Sequence, residues 1–184
     1  NNTGKNAVTK ERVNSALEAI NRFLNHTQEN FPEVFLATSF QATDKEIQNI
    51  IDVAEAHLKN KNSLEAQAVL LEGIDNYGER AELQFLLAIS KAAFKSIKSF
   101  LPQEILRIEN LLVEPIKNQN TRNSAILLLA IIKYDHYKVS GIGCNPDFDL
   151  LQEKYLSNFT LDSYHEKIWD YISYSDRVAA KTDI

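Results

Sequence analysis

The chain has 184 residues, 44% of them hydrophobic and 24% charged, and a formal net charge of −5, which supplies apolar material for a sizeable core and excludes a disordered chain. The acidic balance, with no dense Lys/Arg cluster, speaks against a nucleic-acid binder, and five glycines and four prolines are too few for an all-β fold built on tight turns. The longest apolar run, Ala125–Ile132, falls far short of the roughly 20 residues of a membrane span.

The sequence opens Asn-Asn-Thr-Gly and holds no methionine, as expected of a piece of a longer chain. Its single cysteine, Cys144, cannot form an internal disulfide; that fits a reducing compartment, and a cytoplasmic location is expected. Sequons at Asn1, Asn25 and Asn158 in an asparagine-rich chain read as chance matches.

In chain order, residues 1–8 are polar, and Thr9 can cap a helix from Lys10 to about His26 whose apolar face is Val13, Leu17, Ile20 and Leu24. Phe31-Pro32 ends it, and the apolar stretch 31–40 reads as a short helical turn or buried connector. Thr43-Asp44-Lys45-Glu46 has the spacing of a capping box, so a helix with Ile47, Ile50, Ile51, Ala54 and Leu58 is expected to start there and run to about Lys59. Ser63 can cap a second helix carrying Ala66, Leu70, Gly73 and Ile74, and Tyr77-Gly78 stops it. A third, from about Glu79, carries Leu83, Leu86, Leu87 and Ala88 toward Ile97.

Pro102 suits the first turn of a fourth helix, with Ile105, Ile108, Leu111 and Leu112, which Pro115 kinks or ends. A fifth helix spans about Thr121 to Val139, and Ser140 to Pro146 is a glycine-containing loop. Two more helices are expected, from Asp147 to about Ser157 and from Leu161 to about Ala180, the last with Tyr164, Ile168, Trp169 and Ile172.

An internal period runs through these helices. Ala54 and Ala88 lie 34 residues apart, and Ala130 follows 42 further on, each directly after a bulky apolar residue. Ile50 and Ile126 stand four residues before the first and third of these alanines, where the second unit has Gln84. Small residues at matched places let helices approach closely, as a stack of helix pairs needs. In this pattern the chain resembles the tetratricopeptide repeat family, whose unit of about 34 residues is a helix-turn-helix. Ile50, Val53-Ala54, His57, Ala66, Leu70, Gly73 and Gly78 fit the order of that unit, with His57 at the usual tyrosine and Gly78 at the usual proline. The second unit keeps Leu87-Ala88, has Lys91 at the aromatic place and is enlarged by eight residues; the third starts with Ile126, Leu129-Ala130 and Lys133 and dissolves into the loop. A non-repetitive helical bundle with small residues at its crossings is the competing architecture.

The resemblance implies one all-α domain over residues 1–184. It would hold an N-terminal helix and connector (1–43), antiparallel helix pairs stacked as a tetratricopeptide-like right-handed superhelix (44–139), a loop (140–146) and C-terminal helices (147–184). It also implies a concave groove, lined by the first helix of each pair, that takes a peptide or helix of a partner protein. Ile51, Glu55, Phe85, Ile89, Leu127, Ile131 and Tyr134 are the candidate partner-binding residues, within a wider face that includes Gln48, Glu82 and Ser124. Two occupants compete for this mostly apolar face: a partner, or the chain's own N-terminal helix or C-terminal pair.

No set of residues reads as a reaction centre, so no catalytic residue, cofactor or metal is expected. The four histidines fall in no HExxH or zinc spacing, Cys144 lacks a flanking nucleophile signature, and Gly141-Ile142-Gly143 lacks the third glycine of a dinucleotide loop. Lys91, Lys95 and Lys98 recur at helical spacing and could meet an acidic partner, although such a row is usually a solvated face. The aromatics Tyr134, Tyr137, Tyr155, Tyr164, Trp169, Tyr171 and Tyr174 gather in the last third, as core between terminal helices or as an interaction surface. The expected function is a protein-interaction module. The alternatives are a regulatory or targeting segment of a larger enzyme and a self-associating structural domain that forms homo-oligomers.

Overall fold

A computed structural model of the protein describes residues 32–156, 160 and 162–173, with side chains from Thr43 onward. The helix expected over Lys10 to His26 and the three sequons lie outside the described residues, as does the end of the last expected helix. Among the described residues the regular elements are all helical, and the one β contact is an isolated parallel bridge between Ser96 and Ser173. No described helix is long and apolar enough to cross a membrane. The chain divides into two compact units, Asn1–Lys45 and Glu46–Ile184, and the core belongs to the second.

Helix α1 spans Pro32–Lys59. It begins eleven residues before the expected start at Thr43, so the apolar stretch after Phe31, expected as a short helical turn or buried connector, is the first part of one long helix. Pro32 suits a first helical position, and neither glycine nor proline occurs again before Lys59 to interrupt the helix. Thr43 and Glu46 therefore sit in its interior, where no free N–H groups await a cap. Helix α2 spans Ser63–Tyr77, with Asn62 at the cap position and no side-chain cap bond. Gly78 ends it with φ at +80°, a conformation open to glycine, while its N–H bonds the Ile74 carbonyl at 2.8 Å.

Helix α3, Ala81–Ala92, has ten of its 12 residues buried, so it is covered on all sides rather than along one stripe. After it the chain turns sharply through Phe94, at φ +61°, and a short 3-10 turn at Ile97–Ser99 drops Ile97 into the core. Helix α4, Pro102–Leu111, opens with proline and with the Glu104 carboxylate accepting the Leu101 N–H at 2.8 Å. Helix α5, Val113–Lys117, continues beyond Leu112 and contains Pro115, so the expected break is a short step in the helix. The Thr121 hydroxyl then donates to the Pro115 carbonyl at 2.9 Å in a buried contact that fixes the next turn. Helix α6, Arg122–Ile132, is buried over eight of its 11 residues and widens into a π-helical turn at Lys133–Lys138. Helix α7, Phe148–Leu151, is capped by Asp147, and α8 is His165–Tyr171.

The repeated small residues are packing devices. Ala54, Ala66, Ala88 and Ala130 have no exposed surface, and a Cβ added at Gly73 would stand 2.9 Å from Ile50 Cγ2 and 3.4 Å from Leu83 Cδ1. Helices α1, α2 and α3 meet at that point because residue 73 lacks a side chain. Gly73→Ala gains about 1 kcal/mol of helix propensity but overpacks against a β-branched neighbour, at about 1–3 kcal/mol. A net loss of about 1 kcal/mol is expected in urea unfolding, and Ile50→Ala in the same chain should cost less than it does alone.

Candidate functional site

The seven residues expected to line a groove fall on three helices: Ile51 and Glu55 on α1, Phe85 and Ile89 on α3, and Leu127 and Ile131 on α6, with Tyr134 in the π-helical turn after it. They do not form an open surface. Phe85, Ile89, Leu127 and Ile131 have no exposed area, and Ile51 and Tyr134 retain 4% and 6%. Among the described residues, part of the cover comes from the chain's own C-terminal part. Helix α8 packs on α3 and α6, and the Tyr134 ring is met edge-on by Phe148 of α7 at 4.9 Å.

The covering segment, residues 160 and 162–173, is held by polar contacts at its ends and apolar ones between. Thr160 offers its carbonyl to the Asn123 amide at 2.6 Å. The Asp162 carboxylate accepts the Ser124 N–H at 2.8 Å and the Ser124 hydroxyl, and also takes the Tyr164 N–H at 3.0 Å. Ser124 lies in the first turn of α6, whose cap residue Thr121 makes no side-chain cap bond and whose first turn holds no acidic residue. A helix start presents unpaired N–H groups and a partial positive charge. Asp162 supplies both an acceptor and the charge from 38 residues away.

Further along, the Tyr164 ring meets Phe85 edge-on at 5.7 Å, and Lys167 forms an ion pair with Glu55 across to α1. The two side chains keep 21% and 18% of their surface, and Lys167 Nζ also lies 5.2 Å from the Tyr164 ring centre. Ile168 is fully buried and Tyr171 nearly so. The Phe94 N–H donates to the Tyr171 carbonyl at 3.0 Å, its ring meets the Tyr171 ring edge-on, and Ser96 and Ser173 bridge beyond it. A bulky residue in the left-handed region costs about 1–2 kcal/mol, and these contacts hold Phe94 there.

A second polar cluster sits at the π-helical turn. Lys133 Nζ pairs with Glu109 at 2.9 Å, with 5% and 15% of the side chains exposed, and lies 4.5 Å from the Tyr137 ring centre. The Tyr137 hydroxyl donates to Glu109 at 3.4 Å. His136 is buried, and neither ring nitrogen has a hydrogen-bond partner among the described residues. Cys144 lies on a cavity of about 290 Å³ beside Lys133. Burial pushes its thiol up, Lys133 pulls it down, and Glu109 and Asp147 push it up again. The net shift is upward, so the thiol stays protonated at neutral pH and is a poor nucleophile. Among the described residues no three of His, Cys, Asp and Glu gather closely enough to hold a metal ion.

Sequence reasoning passed over Asp162 and Lys167, which anchor the segment. The available signal was negative: the start of α6 lacks both a bonded cap and an acidic first turn. No family model matches the chain, and neither a curated protein nor a solved structure matches it.

Phe85→Glu or Ile131→Glu puts a carboxylate where the native residue has no exposed surface. That costs on the order of 3–5 kcal/mol out of a total stability of about 5–15 kcal/mol, so loss of the cooperative unfolding transition is expected by circular dichroism. Alkaline titration reports on the covering segment. Burial first, then the charges of Glu82, Glu55 and Asp162, push the Tyr164 phenol up from 10.0 to about 12. The folded form thus holds this proton more tightly than the unfolded chain. Its contribution to stability is intact below pH of about 10 and is lost as pH rises toward about 12. The melting temperature should fall across that window, and Tyr164→Phe should flatten the fall. Tyr137, also raised to about 12, accounts for part of what remains.

Proposed function

We propose that the chain is a tetratricopeptide-like protein-interaction module whose helix pairs stack as a superhelix, and that the face of α1, α3 and α6 is its recognition groove. Residues 160 and 162–173 lie in that groove as an internal ligand, in the place a partner's peptide takes when it displaces them. One observation carries the reading. Measured from the repeat alanines Ala130, Ala88 and Ala54, the segment touches α6 six residues before (Ser124), α3 three residues before (Phe85) and α1 one residue after (Glu55). It steps about one helical turn along each successive helix, as a peptide does in crossing a row of equivalent helices. The three contacts differ in kind: a carboxylate on a helix start, an aromatic ring on a ring edge, and a lysine on a glutamate. A partner peptide is therefore expected to carry an acidic residue, an aromatic two positions on and a lysine three positions further.

The test is a fluorescent synthetic peptide of residues 160–173, titrated by anisotropy into the full-length protein and into its Asp162→Ala/Lys167→Ala variant. The loosened variant is expected to bind the peptide about tenfold or more tighter than the native chain does, because its own segment competes less well. A peptide with Lys167→Glu should bind neither. Absence of binding to a variant that keeps native circular dichroism would show that the segment is permanent core, and the reading would fall.

A further inference from the structure

Two departures from the repeat pattern lie on one side of α3. Gln84 stands where the pattern has an apolar residue and Lys91 where it has an aromatic one, and with Leu87 they form a single stripe at helical spacing. All three line a trough whose floor is α3 and whose walls are α2 and α4. Its wider part encloses about 570 Å³, and a narrower part of about 160 Å³, running toward Leu64 and Phe100, shares Lys91 and Arg107 with it. The opening follows from the connections. Three residues join α2 to α3, whereas nine join α3 to α4, so α4 is not drawn tightly against α2.

The walls are apolar and uncovered. Leu64 and Leu71, seven residues apart on one face of α2, keep 74% and 47% of their surface, and Val113 opposite keeps 49%. Of the charged groups on the trough, Lys91, Lys95 and Arg107 form no ion pair among the described residues, while Glu114 is paired with Lys117, Glu104 keeps its charge beside the Leu101 N–H, and Glu79 stands at one end. At the floor, Gln84 is 7% exposed and its Oε1 has no hydrogen-bond partner among the described residues. A buried acceptor left unpaired costs about 1–3 kcal/mol, which an incoming N–H or O–H donor would recover.

We infer that this trough is a second docking surface, separate from the α1, α3 and α6 face, and that it takes an amphipathic helix of a partner protein with a leucine-type stripe flanked by carboxylates. The stripe lies between Leu64 and Leu71 on one wall and Leu111 and Val113 on the other, packing as a helix laid into the groove between two helices. The carboxylates meet Lys91, Lys95 and Arg107, and a polar side chain at the edge of the stripe donates to Gln84 Oε1.

The probe is a display library of amphipathic helical peptides, with random charges beside a fixed leucine stripe, selected on the full-length protein. Enriched peptides are expected to be acidic, to bind more weakly as salt rises, and to lose about tenfold or more in affinity for Lys91→Glu/Arg107→Glu, while Lys91→Arg/Arg107→Lys keeps it. Leu64→Asp, at a residue too exposed to unfold the chain, should weaken the same peptides. Enrichment without negative charge, or unchanged affinity for both the double charge reversal and Leu64→Asp, would overturn the inference. So would a concentration-dependent dimer in sedimentation that the charge reversal abolishes, since the occupant would then be a second copy of this chain.

Discussion

Everything in the unit from Glu46 onward depends on covering α3 around most of its circumference. A helix with ten of its 12 residues buried cannot rest on one neighbour, so each surrounding element answers for one sector of it. Helices α1 and α2 close one sector through Gly73 and Ile50. The 3-10 turn and α4 contribute Ile97, Ile105 and Ile108 to the same core, α6 supplies its own nearly continuous apolar surface, and α8 closes the sector that carries Phe85. Where one sector is left incompletely closed, between α2 and α4, the floor residues are polar: Gln84 and Lys91 replace the packing residues that a closed crossing would require. Composition along one helix thus follows the quality of the cover above it.

The segment that packs on α1, α3 and α6 is seated differently from the core around it. Its apolar contacts, Tyr164, Ile168 and Tyr171, are what any buried helix would offer. Its polar ones are specific to place, because Asp162 completes a helix start that has no cap bond of its own and Lys167 finds the carboxylate on α1 that the face would otherwise present unpaired. Partly buried ion pairs contribute little net stability but punish misregister, and a carboxylate on a helix start fixes position along the helix axis. Together they set the register of the segment on two helices at once, a property that hydrophobic burial alone does not supply.

The helices and their faces were legible in the sequence because period and small residues report which side chains share a side. Ala54, Ala66, Gly73 and Ala88 are buried at the crossings, and Phe85, Ile89, Leu127 and Ile131 are fully buried. What periodicity leaves out is the identity of the cover, since a residue facing a partner and one facing a distant part of its own chain have the same local pattern. Asp162 acts on Ser124 from 38 residues away, a distance over which no local rule operates. The start of α1 was misread for the opposite reason. Thr43 and Glu46 satisfy a local rule, but any Thr-x-x-Glu pair inside an uninterrupted helix satisfies it equally. Lys91 was visible as part of a basic row; that it borders a trough depended on the nine-residue connection that follows.

The contact between Asp162 and the start of α6 also bears on the order in which the molecule can be made. A ribosome delivers α6 well before Asp162, so for the time needed to add some forty further residues that helix start is uncapped, at about 5–20 residues per second. Over the same interval Phe85 lacks the Tyr164 ring that packs on it. The nascent chain therefore passes through a stage, lasting seconds, in which the sides of α3 and α6 that receive α8 are open to whatever binds such surfaces at the tunnel exit.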